Sequence, residues 1–324
     1  MLMFVVLLLI VLVLFAFLTP NFSYIRIGNL NNILTDSVIP ATFAFGLGII
    51  IAGSGFDLSL GAIASLVALI VAYLMSGGIK YDPVIAVLVG LVVAGGIGTT
   101  SGLLVSRMGI SSFIVTLGMQ FLVIGIRQKV TDGQSVYISN SAFKWLATNQ
   151  YGLSNLVIIL LIVAFICYLL MEKSTFGRKI QFIGANIEAS RFMGMDVKNI
   201  TMSTFTLGAI LAGFGGILFA ARAGGVQINS VDSKLLDAIT IAVFSSVVFG
   251  RFRTGGIVLV AILISMIGTG MSMMGIKTEW VEFIKGLILL FSIIMARFMN
   301  SKTSPSKYTF FNKGDKDHGH QEIV

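Results

Sequence analysis

Long apolar runs separated by short polar joints dominate this chain. Ten such runs can be drawn, at residues 2–18, 38–53, 58–76, 83–106, 111–126, 153–171, 201–221, 236–250, 255–275 and 280–297. A membrane-spanning helix needs about 20 apolar residues, whereas a barrel strand shows alternation over about 10. The continuous runs therefore predict an all-α polytopic membrane protein with about ten transmembrane helices. The second, third and eighth runs are short for a bilayer and are candidates for broken or partial helices. Residues 20–37 alternate polar and apolar positions and are expected to lie along the outer surface. The first run carries no Lys or Arg, and Phe15-Ala16-Phe17-Leu18 before Thr19-Pro20 fits a leader cleavage site poorly. It is expected to be a retained span.

Composition agrees with this pattern. The chain is 56% hydrophobic and 11% charged, against about 25% charged in soluble domains. Its net charge of +8 belongs to loops and tail, as cytoplasmic segments of membrane proteins require, and not to nucleic-acid binding. With both termini cytoplasmic, the inner segments hold 13 Lys and Arg and the outer segments 8, the latter including Arg127 and Lys234. The expected organisation is one transmembrane domain over residues 1–300 with a water-facing loop at 172–200, then a polar tail, 301–324. The longest outer loop, 127–152, offers Tyr137, Trp145 and Tyr151 as interface anchors. Cys167 is the single cysteine, so no intrachain disulfide is possible. His318 and His320 in the tail are expected to be solvated.

Residues 172–196 form a basic, polar loop between two apolar runs. Within it, Asn186 is suited to cap a helix N-terminus and Glu188 to sit near the positive end of the dipole. Gly194 is suited to the left-handed conformation that ends a helix. The pattern predicts about two helical turns displayed toward the cytoplasm, as a knob for a soluble partner. No nucleotide-binding GxxxxGK[ST] loop occurs, so any ATP is hydrolysed by another chain. HExxH, GxSxG and paired-cysteine metal motifs are also absent.

Asp57 stands between two apolar runs, within Gly53-Ser54-Gly55-Phe56-Asp57-Leu58-Ser59-Leu60-Gly61. A carboxylate at the centre of a lipid-facing helix costs about 2.5–3.5 kcal/mol, while an N-cap returns about 1 kcal/mol. Asp57 is thus expected either to cap a helix at an interface or to line a watered cavity where a helix restarts. Phe113, Thr116 and Gln120 open the fifth run. Thr116 and Gln120 share a face that either contacts a hydroxyl-rich solute or bonds to another helix. Phe56, Asp57, Ser59, Phe113, Thr116 and Gln120 form the candidate translocation path. Gly95, Gly96, Gly98 and Gly102 predict close helix packing. Glu279, Glu282 and Lys285, beside Trp280, predict a paired, snorkelling entry into the last span.

These residues resemble the permease subunits of ribose-type ABC sugar importers. Gly55-Phe56-Asp57-Leu58-Ser59-Leu60-Gly61 matches that family's Gly-Gly-hydrophobic-Asp-Leu-Ser-x-Gly block, with Ser54 in place of the first glycine. Ser112-Phe113-Ile114-Val115-Thr116-Leu117-Gly118 matches a second block. Thr175-Phe176-Gly177-Arg178, then Ile183-Gly184-Ala185-Asn186, Glu188-Ala189-Ser190-Arg191 and Gly194, match the family's coupling loop. Leu236-Asp237-Ala238-Ile239 and Lys285-Gly286-Leu287-Ile288 match two more blocks. The resemblance implies that Gly177, Arg178, Gly184, Asn186, Glu188, Ala189 and Gly194 dock on an ATPase subunit that binds ATP and Mg, with no cofactor in this chain. It also implies an extracytoplasmic solute-binding protein, a second permease copy or paralogue, and a multi-pass location in the cytoplasmic (inner) membrane. Phe244-Ser245-Ser246 departs from the family's Gly-Gly pair. A branched-chain amino-acid ABC permease is a closely related alternative. An ion-coupled secondary transporter would leave the docking loop without a purpose, and an intramembrane enzyme would need convergent catalytic polar groups, whereas the spans offer few titratable residues.

Overall fold

The computed structural model describes residues 2–76, 81–131, 134–138, 140–150, 152–227 and 229–301. The polar tail beyond 301 lies outside the described residues, as does Tyr151. The helices are α1 (Leu2–Leu18), α2 (Ile27–Ala52), α3 (Leu60–Ser76), α4 (Pro83–Met108), α5 (Ser112–Thr131), the short α6 (Ser141–Lys144), α7 (Asn155–Tyr168), α8 (Thr175–Ala185), α9 (Ile187–Phe192), α10 (Val197–Ala223), α11 (Lys234–Phe249), α12 (Thr254–Met273) and α13 (Thr278–Ser301). Six stretches among the described residues are long and apolar enough to cross a membrane: Ile27–Ala52, Pro83–Met108, Ser112–Val130, Asn155–Lys173, Val197–Ala223 and Thr254–Met273. The chain is an all-α membrane protein.

α10 lies at the centre, packed on α2, α3 and α4. Backbones approach closely there. A Cβ on Gly98 would lie 2.5 Å from the Ala209 Cβ, and one on Gly102 would lie 2.8 Å from the Met202 carbonyl oxygen. Gly96 faces open space, so the predicted glycine packing rests on Gly98 and Gly102. On the opposite side from the α8–α9 pair, Val136–Tyr137 (β1) pairs antiparallel with Gly225–Val226 (β4), and Asn149–Gln150 (β2) pairs with Leu153–Ser154 (β3). Trp145 and Tyr137 are both exposed, as interface anchors require.

Three expectations change. The segment 20–37 does not lie flat: only Pro20–Ile25 forms a separate turn, and α2 runs unbroken from Ile27. Its polar residues find partners along the way. The Asn29 side-chain amide donates to the Tyr24 carbonyl at 2.7 Å, the Asn31 side-chain oxygen accepts from the Ser154 N–H at 3.2 Å, and Asp36 pairs with Arg222. Of the three runs flagged as partial, only α3 and α11 stay short, at 17 and 16 residues. Arg127, expected in an outer loop, lies inside α5, wholly buried. Its guanidinium donates to both oxygens of Asp232, at 2.7 and 3.0 Å, and to Asn229. A neutralised charge lets α5 continue past the predicted end at residue 126. Lys234, also counted among the outer segments, is the first residue of α11.

The last span also differs. Lys285 is buried and does not snorkel to an interface. Its Nζ sits 2.8 Å from Asp237 Oδ1 of α11 and 3.2 Å from Glu282 Oε1. Phe244, part of the departure from the family pattern, packs at a tilt against Phe4 of α1, with 6.2 Å between ring centroids. That aromatic contact fastens α1 to α11.

Candidate functional site

α2 stops at Ala52 and α3 starts at Leu60, leaving seven residues, 53–59, outside helix. Irregular backbone inside a membrane protein must find hydrogen-bond partners in the protein. Here α5 supplies them. The Ser112 hydroxyl accepts from the Phe56 N–H at 3.2 Å, and one turn later the Thr116 hydroxyl accepts from the Leu58 N–H at 3.2 Å. Asp57 Oδ1 accepts from both the N–H and the hydroxyl of Ser59, at 2.7 and 2.6 Å, which caps the turn entering α3. Asp57, Ser59 and Thr116 are fully buried. Asp57 Oδ2 is buried too and accepts no hydrogen bond among the described residues.

The structure thus brings Phe56, Asp57, Ser59 and Thr116 together around one helix break. Phe113, three residues before Thr116 on α5, is exposed, and Gln120 is half-buried one turn beyond Thr116. Thr116 acts here as a staple for the break, through helix–backbone bonding of the kind its position allowed.

The loop at 172–200 is larger than the expected two turns. It holds a π-helical turn, Leu169–Lys173, then α8 and α9. The Ser174 hydroxyl caps α8 by accepting from the Gly177 N–H at 3.1 Å. Asn186 caps α9, its side-chain oxygen accepting from the Ala189 N–H at 3.0 Å. Glu188 and Arg191 pair on the surface at 3.0 Å, a contact worth little by itself. Gly194 takes φ +73°, and the Met195 N–H returns to the Ser190 carbonyl at 3.1 Å, closing the helix as expected for a left-handed C-terminal glycine. Ala189 is exposed, and the Arg178 guanidinium donates to the Lys173 carbonyl at 3.4 Å.

The hairpin touches the helix break directly. A Cβ on Gly184 would fall 1.9 Å from the Ala52 carbonyl oxygen, so only glycine permits the approach. The Ser54 hydroxyl donates to the Gly184 carbonyl at 2.9 Å. A second attachment lies at the neck of the loop, where Glu172 Oε1 accepts from the Thr254 N–H at 2.8 Å. Glu172 thereby caps α12, whose own N-cap residue, Arg253, supplies no side-chain bond. Neither attachment was legible from local pattern, because each joins residues 82 or more apart.

The hairpin also displays apolar side chains. Phe192 is 91% exposed, with Met193, Phe182 and Ile187 exposed as well. Such an exposed apolar surface is of the kind that meets a protein or the membrane. Among the described residues the arrangement offers no nucleophile–base pairing. It is an exposed helical hairpin, bonded at two points to the ends of transmembrane helices, one of them a break around a buried carboxylate.

The sequence profile described as "Branched-chain amino acid transport system / permease component" matches residues 29–293. The chain belongs to this permease family. It is a transport subunit and not an enzyme. The permease is 28% identical over 295 residues to the ribose import permease protein RbsC of Escherichia coli (strain K12), covering 89% of this chain and 91% of the relative. It is 28% identical over 295 residues to the D-allose transport system permease protein AlsC of the same organism, covering 90% of each. It is 30% identical over 310 residues to the galactose/methyl galactoside import permease protein MglC, also of that organism, covering 90% of this chain and 92% of the relative.

Proposed function

We propose that this permease is the membrane subunit of an ATP-driven, binding-protein-dependent importer for a sugar or sugar-like solute. Near full-length similarity to permeases named for ribose, allose and galactose carries this reading. The family description also names branched-chain amino acids, which is the second reading. A cytoplasmic ATPase subunit holds ATP and Mg and receives the α8–α9 hairpin. An extracytoplasmic binding protein delivers the solute, and a second permease copy or paralogue completes the path in the cytoplasmic membrane.

In this reading, Phe56, Asp57, Ser59, Phe113, Thr116 and Gln120 line or gate the route. The orphaned Oδ2 of Asp57 supports it, since a buried acceptor without a partner costs about 1–3 kcal/mol and is retained where function needs it. A conducting route needs weak, multiple contacts, so affinity resides in the binding protein. The test is uptake by the reconstituted complex of permease, ATPase and binding protein. Ribose, allose and galactose should enter in preference to leucine or isoleucine; the reverse order would select the second reading. Asp57→Asn and Asp57→Ala should both abolish uptake at normal expression if the charge gates the route. Near-normal uptake by both would remove Asp57 from it.

Ten spans, α1 to α5, α7 and α10 to α13, with cytoplasmic termini complete the proposal. The charge bias supports it, and so does the contact between hairpin and helix break, which requires both on one side. Single cysteines at Ser174 and at Asn149, with Cys167 replaced, should be respectively protected from and labelled by an impermeant reagent in intact cells. Labelling of Ser174Cys would overturn the topology.

A further inference from the structure

Ser54 is strained where its family counterpart would not be. It sits at φ +64°, in the left-handed region, just past the end of α2. Glycine adopts that conformation freely, whereas an L side chain crowds its own backbone. The family pattern to which residues 55–61 conform carries glycine at this place. The serine therefore needs a compensating contact, and the structure contains one. Its hydroxyl donates to the Gly184 carbonyl at 2.9 Å.

That carbonyl is chemically special. It belongs to the last turn of α8, where carbonyls lack intrahelical donors. It stands two residues before Asn186, the cap of α9. The Ser54 bond thus grips the joint between the two hairpin helices. On its other side, Ser54 continues into the segment whose N–H groups are fixed by Ser112 and Thr116 and whose end is capped by Asp57. Glycine at position 54 could offer no such bond.

We infer that Ser54 is a tether through which the α8–α9 hairpin pulls on the helix break at 53–59, so that it couples ATPase movement to the transport path. The inference rests on the proposed docking of that hairpin on an ATPase. Ser54 touches no substrate and is a positioning residue.

The experiment uses the complete complex in liposomes and measures solute imported per ATP hydrolysed, together with permease thermal stability. Ser54→Gly removes the hydroxyl and relieves the backbone, whereas Ser54→Ala removes the hydroxyl and keeps the strain. Both are expected to lower solute per ATP about three- to ten-fold, the reach of one hydrogen bond, while Ser54→Gly is at least as stable as the parent. Wild-type stoichiometry in Ser54→Gly overturns the tether. So does loss of stability in Ser54→Gly, which would make the hydroxyl a support of the fold alone. Glu188→Lys with Ala189→Asp runs in parallel. If that variant still couples ATP hydrolysis to import, the docking reading has failed and the tether falls with it. If it does not, while Ser54→Gly behaves as the parent, the tether alone has failed.

Discussion

Phe192→Asp, and separately Glu188→Lys combined with Ala189→Asp, should abolish uptake while the permease remains in the membrane. Phe192 is 91% exposed at the end of α9, and Met193 beside it is exposed too. A Phe displayed this fully on a polar loop gains nothing in the isolated chain, so its apolar area is available to a partner. Buried aromatic anchors at protein interfaces typically account for 2 kcal/mol or more each, about thirty-fold in affinity. A carboxylate there adds the desolvation of a charge to the loss of the ring. The charge reversal at Glu188 removes its pairing with Arg191 at 3.0 Å and puts a cation in the first turn of α9, where the dipole disfavours it. Neither change touches a buried contact, so the fold should hold. The check is co-purification of the ATPase subunit with tagged permease, alongside uptake. Full uptake with Phe192→Asp would show that docking uses another surface.

How much of this was readable in advance follows the range of the interactions. The α9 cap at Asn186 and the closing glycine at 194 are local, because side chain and backbone partner lie within a few residues, and both were legible. The break at Asp57 was legible for the same reason: a carboxylate between two apolar runs has few places to go. The pairing of Lys285 with Glu282 was legible, but the placing of Arg127 in a loop and of Lys285 at an interface fails because their partners, Asp232 and Asp237, are far along the chain. A cation viewed alone belongs at an interface; a cation with a buried carboxylate belongs inside. Nothing near Glu172 in sequence points to Thr254, 82 residues away. Ser54 carried a signal, as a departure from the glycine of the resembled family, but its meaning needed the Gly184 carbonyl. Thr116 was correctly placed on a polar face, yet only the structure shows that face turned toward the break.

Lys285→Met and Asp237→Leu should each destabilise the permease severely, and the two together should restore it. The side chains of Lys285 and Asp237 are 10% and 5% exposed, and they meet between α11 and α13 at 2.8 Å. At that distance the two charges form a close ion pair. Removing the ammonium leaves Asp237 with Lys234 at 3.8 Å, and Lys234 is a third exposed. Removing the carboxylate leaves Lys285 with Glu282, which is half in solvent. Breaking one partner of a buried pair costs about 3–5 kcal/mol, which for a domain of this size lowers Tm by on the order of 10 °C. Replacing both with apolar side chains of similar shape is often neutral or stabilising, because two desolvation costs vanish together. Thermal unfolding of the purified permease in detergent, followed by the fraction remaining monodisperse, measures all three variants. Additive losses in the double variant would show that the pair does not act as a unit. Uptake then separates structure from mechanism. A double variant that is stable and transports assigns the pair to holding α11 against α13. One that is stable and silent would assign the two charges a part in transport itself.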